Sequence, residues 1–454
     1  MNIDGLASGM KTKDVIDALM SVAAIPKTLV TNKITDRNTI ITNLQSLNTT
    51  LQGLADKAKT AASATSLARF SATSSAEAVT VAVGEKARAF STTVVVDTLA
   101  TAHAVVTAPG GADAFAGSFT LVAADGTATE ISPAGSAASD LVAALNAAGA
   151  GVTATVVPGG KDADGRPLSR VQITATQTGT DAAFTLHRGS AAEVAAGDAA
   201  DVATETGAAV IGRGADAVIR LFAGTAAEQT VTSSSNTFTG IGEGIDIAVG
   251  AASTQPVTIT VAADITAQSD TAAAFVKDIA ALLTRIDNGS KATVAAPGSA
   301  TTLGVFTGDS TVRALRGALA SAVQSPVDGV SPSTIGISVD KFGALSFDQE
   351  KFTAAMRADP AATQATFSAI AGRVQSTAAQ YSDKYDGLLT QRITGQQTEV
   401  KTLQQQAERM DLRLDVRRAT LERTYAAMEV RLSGLQSQSS WLTSQLAALT
   451  PSSK

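Results

Sequence analysis

Apolar and polar positions change rhythm three times along the 454-residue chain. Near the start, Val15, Leu19 and Val22 recur at helical spacing, with Lys11, Lys13, Asp14 and Asp17 mostly off that stripe. The pattern predicts an amphipathic helix after a Gly/Ser-rich lead, with a break at Pro26. From about Val30 to Ala58, the positions Ile40, Leu44, Leu47, Leu51 and Leu54 alternate steps of four and three. That is a heptad seam on one long helix.

From about Ser71 the texture becomes β-branched, in "AVTVAVG" and "FSTTVVVDTLA", with Gly, Thr, Ser and Asp as punctuation to about Ala262. Within this region "GSFTLVAADGTATEIS" predicts a hairpin turning at Asp125-Gly126, and "ASDLVAALNAAG" a short helix ended by Gly149. Two further strands are expected in "GVTATVVPGGKDADGRPLSRVQITATQTG". An Ala/Gly/Asp-rich linker is expected at 191–209, before β stretches in "ADAVIRLFAG", "IDIAVG" and "PVTITVAAD".

Helical spacing then returns in "TAAAFVKDIAALLTRID" and "DSTVRALRGALASAVQ", the second with Asp309 or Ser310 placed to cap it. A hairpin with Phe342-Gly343 near its turn follows, running into a helix that stops before Pro360. From about Ser382 the chain reads as one long polar helix. Leu389, Ile393, Val400, Leu403, Ala407, Met410, Leu414 and Leu421 hold the seam, and Tyr425, Met428, Leu432, Leu435, Leu442, Leu446 and Leu449 continue it after a stutter near Arg417.

Two such seams most economically bury each other. The expected fold class is therefore α+β multidomain: paired long N- and C-terminal helices forming a coiled coil, with nested β-rich domains inserted between them. The expected divisions are an axial segment 1–34, a coiled-coil helix 35–70, an inner β domain in two parts (71–106 and 210–263) around an outer β-rich insert 107–209, leg helices with a β-hairpin 264–381, a returning coiled-coil helix 382–428 and a second axial segment 429–454. Both axial segments are expected to be mobile in an isolated monomer, because short helices with narrow stripes are marginal in water.

Composition narrows the chemistry. Hydrophobic residues make up 44%, enough for folded cores, but aromatics are 4% with one Trp, so packing is Ala-rich. A net charge of −6 without basic clusters interleaved with aromatics argues against nucleic acid or an anionic membrane as partner. Asp4 precedes any Lys or Arg, and Asp14 and Asp17 interrupt the opening apolar stretch, so the start is expected to stay in the mature protein and not be cleaved as a secretory signal. No run of apolar residues is long enough to span a bilayer. Cysteine is absent, which excludes disulfides and thiolate chemistry.

No catalytic or cofactor constellation emerges. His103 and His187 lie in separate β segments without ligand-spaced neighbours. "GIGEGID" reads as turn chemistry, since no phosphate-cradling motif accompanies it. "KDADGRP" lacks the third acidic ligand and terminal Glu of a calcium loop and reads as a hairpin tip. "NGS" at Asn288 reads as a polar helix end. The last stretch, "SGLQSQSSWLTSQLAAL", surrounds an apolar stripe with Ser, Gln, Thr and Ala and suits packing among other helices.

These terminal residues resemble the bacterial flagellar filament-capping family (hook-associated protein 2, FliD). "GLASGMKTKDVIDALMSVAAIP" is similar to the family's opening. "ADAVIRLFAG", "SSSNTFTGIGEGIDIAV", "AFVKDIAALLTRI", "GDSTVRAL", "GISVDKFGALSFDQEKFTAAMRADP" and "LERTYAAMEVRLSGLQSQSSWLTSQLAAL" follow in the family's order. Met10-Lys11 and Leu221-Phe222 depart from its usual Leu-Asp and Asp-Gly-like turn, and 107–209 matches only loosely.

The resemblance implies a non-enzymatic extracellular protein at the filament tip, exported through the flagellar channel without a cleaved signal. Implied partners are other copies of itself in a ring, flagellin, the hook-filament junction proteins and a dedicated export chaperone. No cofactor or metal is implied. Leu6, Val15, Leu19, Ile40, Leu44, Leu47, Leu51, Leu54, Leu389, Ile393, Val400, Leu403, Met410, Leu414, Leu421, Met428, Leu432, Leu435, Leu442, Leu446 and Leu449 are the residues expected to carry helix pairing and assembly. The competing reading is an adhesin whose β domains bind host glycan or mucin, which calls for an aromatic face where the insert offers Phe115, Phe119 and Phe184.

Overall fold

The computed structural model describes residues 9, 11–294, 300–341 and 343–449, the last three in backbone only. The chain forms two compact units, one of residues 1–67 with 269–454 and one of residues 68–268. The helical unit begins with α1, Thr12–Ala61. The expected break at Pro26 is overturned: α1 runs straight through that proline. Proline withholds one N–H from the helix ladder. Pro26 lies on an exposed face, where water can take the released carbonyl, and ion pairs to a second helix hold the chain on either side of it.

The β unit carries β1 (Phe70–Ser74), β2 (Val79–Val83), β3 (Phe90–Thr98), β4 (Ala102–Val106), β5 (Phe119–Ala123), β6 (Ala128–Ile131), α2 (Ala138–Ala147), β7 (Val152–Lys161), β8 (Pro167–Thr178), β9 (Phe184–Arg188), α3 (Ala191–Ala196), β10 (Ala200–Asp201), β11 (Ala209–Gly212), β12 (Ala217–Leu221), β13 (Gln229–Ser233), β14 (Thr237–Gly242), β15 (Ile245–Val249) and β16 (Val257–Ala263). All pairings are antiparallel.

One core lies in a five-stranded sheet, β1-β16-β3-β12-β13, and a three-stranded sheet, β14-β15-β2. Its strands bury every second residue, as Ala217, Ile219 and Leu221 do on β12 and Val257, Ile259 and Val261 on β16. A second core, around Phe115, Phe119, Leu121, Leu141, Val171, Ile173 and Leu186, belongs to two four-stranded sheets, β10-β9-β5-β6 and β11-β4-β8-β7.

Two sequence-based boundaries move. β4 and β11, expected at the ends of the inner domain, pair with each other and β4 pairs with β8, so they belong to the insert. The stretch 191–209, expected to be a linker, is folded. Ser190 and Glu193 cap α3 reciprocally, Arg188 pairs with Glu205 at 3.0 Å, and Val202 is fully buried. Low side-chain bulk there hid local order carried by hydrogen bonds.

His103 on β4 meets the Phe184 ring edge-on at 5.0 Å, and its Nδ1 accepts the Gly214 N–H at 3.4 Å. Burial, and then the Arg213 charge, push its pKa below the ordinary 6.5, against weaker opposite pulls from the Phe184 backbone and Asp201. The unfolded chain therefore takes up the extra proton first. Stability from this site is complete above about pH 6.5 and is lost as pH falls from there towards the folded pKa. Between about pH 7 and about pH 5 the β unit should lose more stability in the native chain than in His103→Gln, as followed by hydrogen exchange of peptides from residues 68–268, corrected for the intrinsic rate at each pH. Equal losses would show that other groups carry the acid response.

The chain passes from the β unit to the helical unit within α4 (Ile265–Ser290) and continues with β17 (Ala292–Thr293), β18 (Thr302–Leu303), α5 (Ser310–Gln324), β19 (Ile337–Val339), β20 (Leu345–Phe347), α6 (Gln349–Ala358), α7 (Pro360–Ser382) and α8 (Leu388–Leu449). Asp309 caps α5 by accepting the N–H groups of Thr311 and Val312. β19 and β20 form the expected hairpin, its Phe342 lying outside the described residues. The returning helix starts at Leu388 and not at Ser382, and it continues unbroken past Arg417 and residue 428. Here α1 packs against both α7 and α8, with Leu44, Leu47 and Leu51 fully buried. Phe367 stands at the centre of two aromatic contacts, to Phe275 at 5.7 Å and Phe352 at 6.3 Å.

Candidate assembly site on the paired terminal helices

The α1–α8 pair is antiparallel, because its cross-links run in opposite directions along the two helices. Gln52 donates to the Ser382 carbonyl at the end of α7, Arg37 pairs with Glu399 at 3.1 Å, Lys27 with Asp411 at 2.5 Å and Asp17 with Arg418 at 2.6 Å. Hydrogen bonds from Lys13 and Arg418 hold the Asp17 carboxyl below its usual pKa, and the bond to Asp17 raises that of Arg418. These are exposed pairs, worth little individually. Their value is in register.

A tight corner feeds α7 into α8. Asp383 Oδ1 accepts the N–H groups of Tyr385 and Asp386, both at 2.8 Å. A Cβ on Gly387 would come within 2.7 Å of backbone atoms of Asp383 and Tyr381, so only glycine lets the chain close this turn.

The expected pairing residues divide by position. Leu44, Leu47, Leu51 and Leu389 are fully buried, with Leu54, Ile393 and Val400 at 4%, 8% and 7% exposure. Leu403, Met410, Leu414, Leu421, Met428 and Leu432 are half-buried along α8. Leu435, Leu442 and Leu446 are more than half exposed. Leu6 and the side chain of Leu449 lie outside the described residues.

Three assignments shift by one residue. Val15 and Leu19 are 37% and 40% exposed while Ile16 is buried, and Ile40 is half-buried while its neighbour Ile41 is buried. Counting back by heptads from Leu44 gives Arg37, Val30, Ala23 and Ile16, and from Ile41 gives Ile34, Lys27 and Met20. That count is the signal that finds the inward line. The local stripe Val15-Leu19-Val22 is a second apolar face.

Gln396 was also missed. It fills the seam between Ile393 and Val400, is 3% exposed, and its carbonyl oxygen accepts from Arg37 at 3.4 Å. A buried polar layer of this kind penalises any slipped register, which would strand it without partners.

Outside the seam, hydroxyl groups bond back along their own helix. On α1, Thr28, Thr31, Thr35, Thr39, Thr42, Thr49 and Thr50 each donate to the carbonyl four residues earlier. On α8, Thr394, Thr398, Thr402, Thr420, Thr424, Ser437, Thr443 and Ser444 do the same.

Among the described residues no group of three or more His, Cys, Asp or Glu could hold a metal, and no helix is long and apolar enough to cross a membrane.

Comparison with known proteins agrees with this architecture. The description of the flagellar hook-associated protein 2 N-terminus matches residues 8–103, and that of its C-terminus residues 214–437. The lateral flagellar hook-associated protein 2 of Vibrio parahaemolyticus is 35% identical over 159 residues, 34% of this chain and 34% of that protein. The chain thus aligns with about a third of that curated relative's length. The crystal structure of the flagellar cap protein FliD D1-D2-D3 domains from Escherichia coli superposes with a TM-score of 0.56 at 21% identity, covering 78% of this chain and 99% of that one. The two family descriptions flank the loosely matching insert, and together they place the chain in the flagellar hook-associated protein 2 family.

Proposed function

We propose that this chain caps the distal tip of the flagellar filament, where a ring of its copies retains exported flagellin and promotes its insertion. The carrying observation is the end of α8: Val430, Leu435, Trp441, Leu442 and Leu446 are 54–62% exposed on a helix that extends past the described start of α1. Apolar side chains set out along such a helix end suit burial among the helices of an assembly. Flagellin supplies that surrounding in the growing filament. The chain reaches the tip by export through the flagellar channel, with an export chaperone before secretion and the hook-filament junction proteins as its first foundation. Cap movement draws on the folding of each incoming flagellin, so individual contacts of α8 must be weak enough to break and remake.

The adhesin alternative finds less support. Phe115, Phe119 and Phe184 are all buried and form no aromatic platform. Between Ala102 and Gly212 eleven carboxylates face four basic side chains, Lys161, Arg166, Arg170 and Arg188, a balance that repels anionic mucin glycans.

Trp441 is the chain's one tryptophan and reports directly on the site. Its fluorescence should shift to the blue when short flagellin filaments are added to the full chain, as the ring leaves water. An emission spectrum that stays at its free position while the protein co-sediments with filaments would rule out burial of α8 as the mode of attachment.

A further inference from the structure

Besides its own seam, the α1–α8 pair exposes a five-residue apolar strip on α1 and a pair of aliphatic side chains on α8, the latter among Arg409, Arg413 and Arg417. On α1, Val15, Leu19, Val22, Ile25 and Leu29 are 37–65% exposed. At about 100° per residue they form a strip roughly a third of a turn away from the inward line through Ile16 and Val30. On α8, Leu412 and Val416 are 67% and 66% exposed, on the side away from half-buried Met410 and Leu414.

The two stripes lie at one level of the pair. Asp17–Arg418 and Lys27–Asp411 fix the register, and Leu412 and Val416 both fall between Asp411 and Arg418. They therefore stand beside the middle of the α1 strip. Two different apolar faces at one level are what a head-to-tail contact between identical chains requires; a two-fold contact would need a single patch that matches itself.

We propose that the α1 strip around Val22 receives the back of α8 around Leu412 from a second copy of this chain. The helices meet antiparallel, in the register already used within each chain, so the interface continues the α1–α8 pairing from copy to copy. The contact rests on the ring reading above and specifies which surfaces of neighbouring helix pairs touch. A neighbour's α8 would cover the side chains that α1 leaves half in water, and each copy keeps one strip and one back to offer, so the contact repeats from copy to copy and forms a ring where the rotation between copies closes.

The absence of cysteine makes the test direct. Full-length Val22→Cys and Leu412→Cys are prepared separately, checked by circular dichroism, mixed and oxidised, while native mass spectrometry of the same samples reads the oligomer. The expected product is a disulfide-linked heterodimer at least tenfold over either homodimer, since only facing positions bring Cα atoms within bonding range. Thr28→Cys with Leu412→Cys, off the strip, should give no such excess. As a second measurement, Val22→Lys should weaken self-association at least tenfold, with recovery when the other copy carries Leu412→Asp. Oligomers that form without the heterodimer would overturn this contact and leave the ring standing. A monomer at every concentration would overturn both.

Discussion

Deleting Leu435 to Lys454 is expected to leave both units folded and to abolish capping, so that flagellin is secreted and lost to the medium. The deleted part of α8 contributes only exposed side chains among its described residues, Leu435, Trp441, Leu442 and Leu446. Neither the α1–α8 ion pairs nor the β cores reach it. A few leucines buried at about 25 cal/mol per Å² supply several kcal/mol at most, before the cost of ordering the helix is subtracted. Losing them should therefore release the tip while folding is untouched. Complementing a cap-deficient strain with the truncated chain and measuring filament length and soluble flagellin gives the answer. Filaments of ordinary length, made with a secreted and folded truncation, would show that attachment lies elsewhere.

The second large effect is on stability. Leu51→Ala should cost the helical unit about 2–5 kcal/mol, the range for truncating a fully buried leucine whose cavity cannot collapse. Leu51 sits where α1 is enclosed by α7 and α8, so three helices would have to move together to fill the space. The β unit has its own cores and should keep its melting transition. Denaturant unfolding, followed by the helical far-ultraviolet signal together with hydrogen exchange of peptides from residues 68–268, separates the two. A loss below about 1 kcal/mol would mean that the helices repack around the gap, as cores sometimes do.

The long seams were legible because a heptad repeat needs only chain order to express itself: Leu44 to Leu54 and Leu389 to Val400 are buried where their spacing put them. What escaped depends on contacts distant in sequence. Pro26 reads locally as a break, yet pairing with α8 carries α1 through it. Val15 and Leu19 outscore Ile16 on local amphipathicity, and only the partner helix decides which face turns inward. Gln396 looks like an interruption until Arg37 is seen beside it. In the β unit, β4 lies next to β3 in sequence but takes β8 and β11 as partners, a choice that strand propensity cannot express. Capping by Ser190 and an ion pair at Glu205, not bulk, hold 191–209 in place, so hydrophobic pattern is silent there.

The threonine and serine ladders of α1 and α8 bear on how such a pair could travel. A hydroxyl that points to solvent surrenders a water bond when another protein covers it, and the debt is owed again at every step. Here each of those donors is already committed to a carbonyl of its own helix. Covering or uncovering these hydroxyls then exchanges only acceptor lone pairs and carbon with water, while charged neighbours such as Lys401 and Arg409 still have hydration to lose. Under the proposed capping role, these hydroxyls would add little resistance each time the helices exchange neighbours.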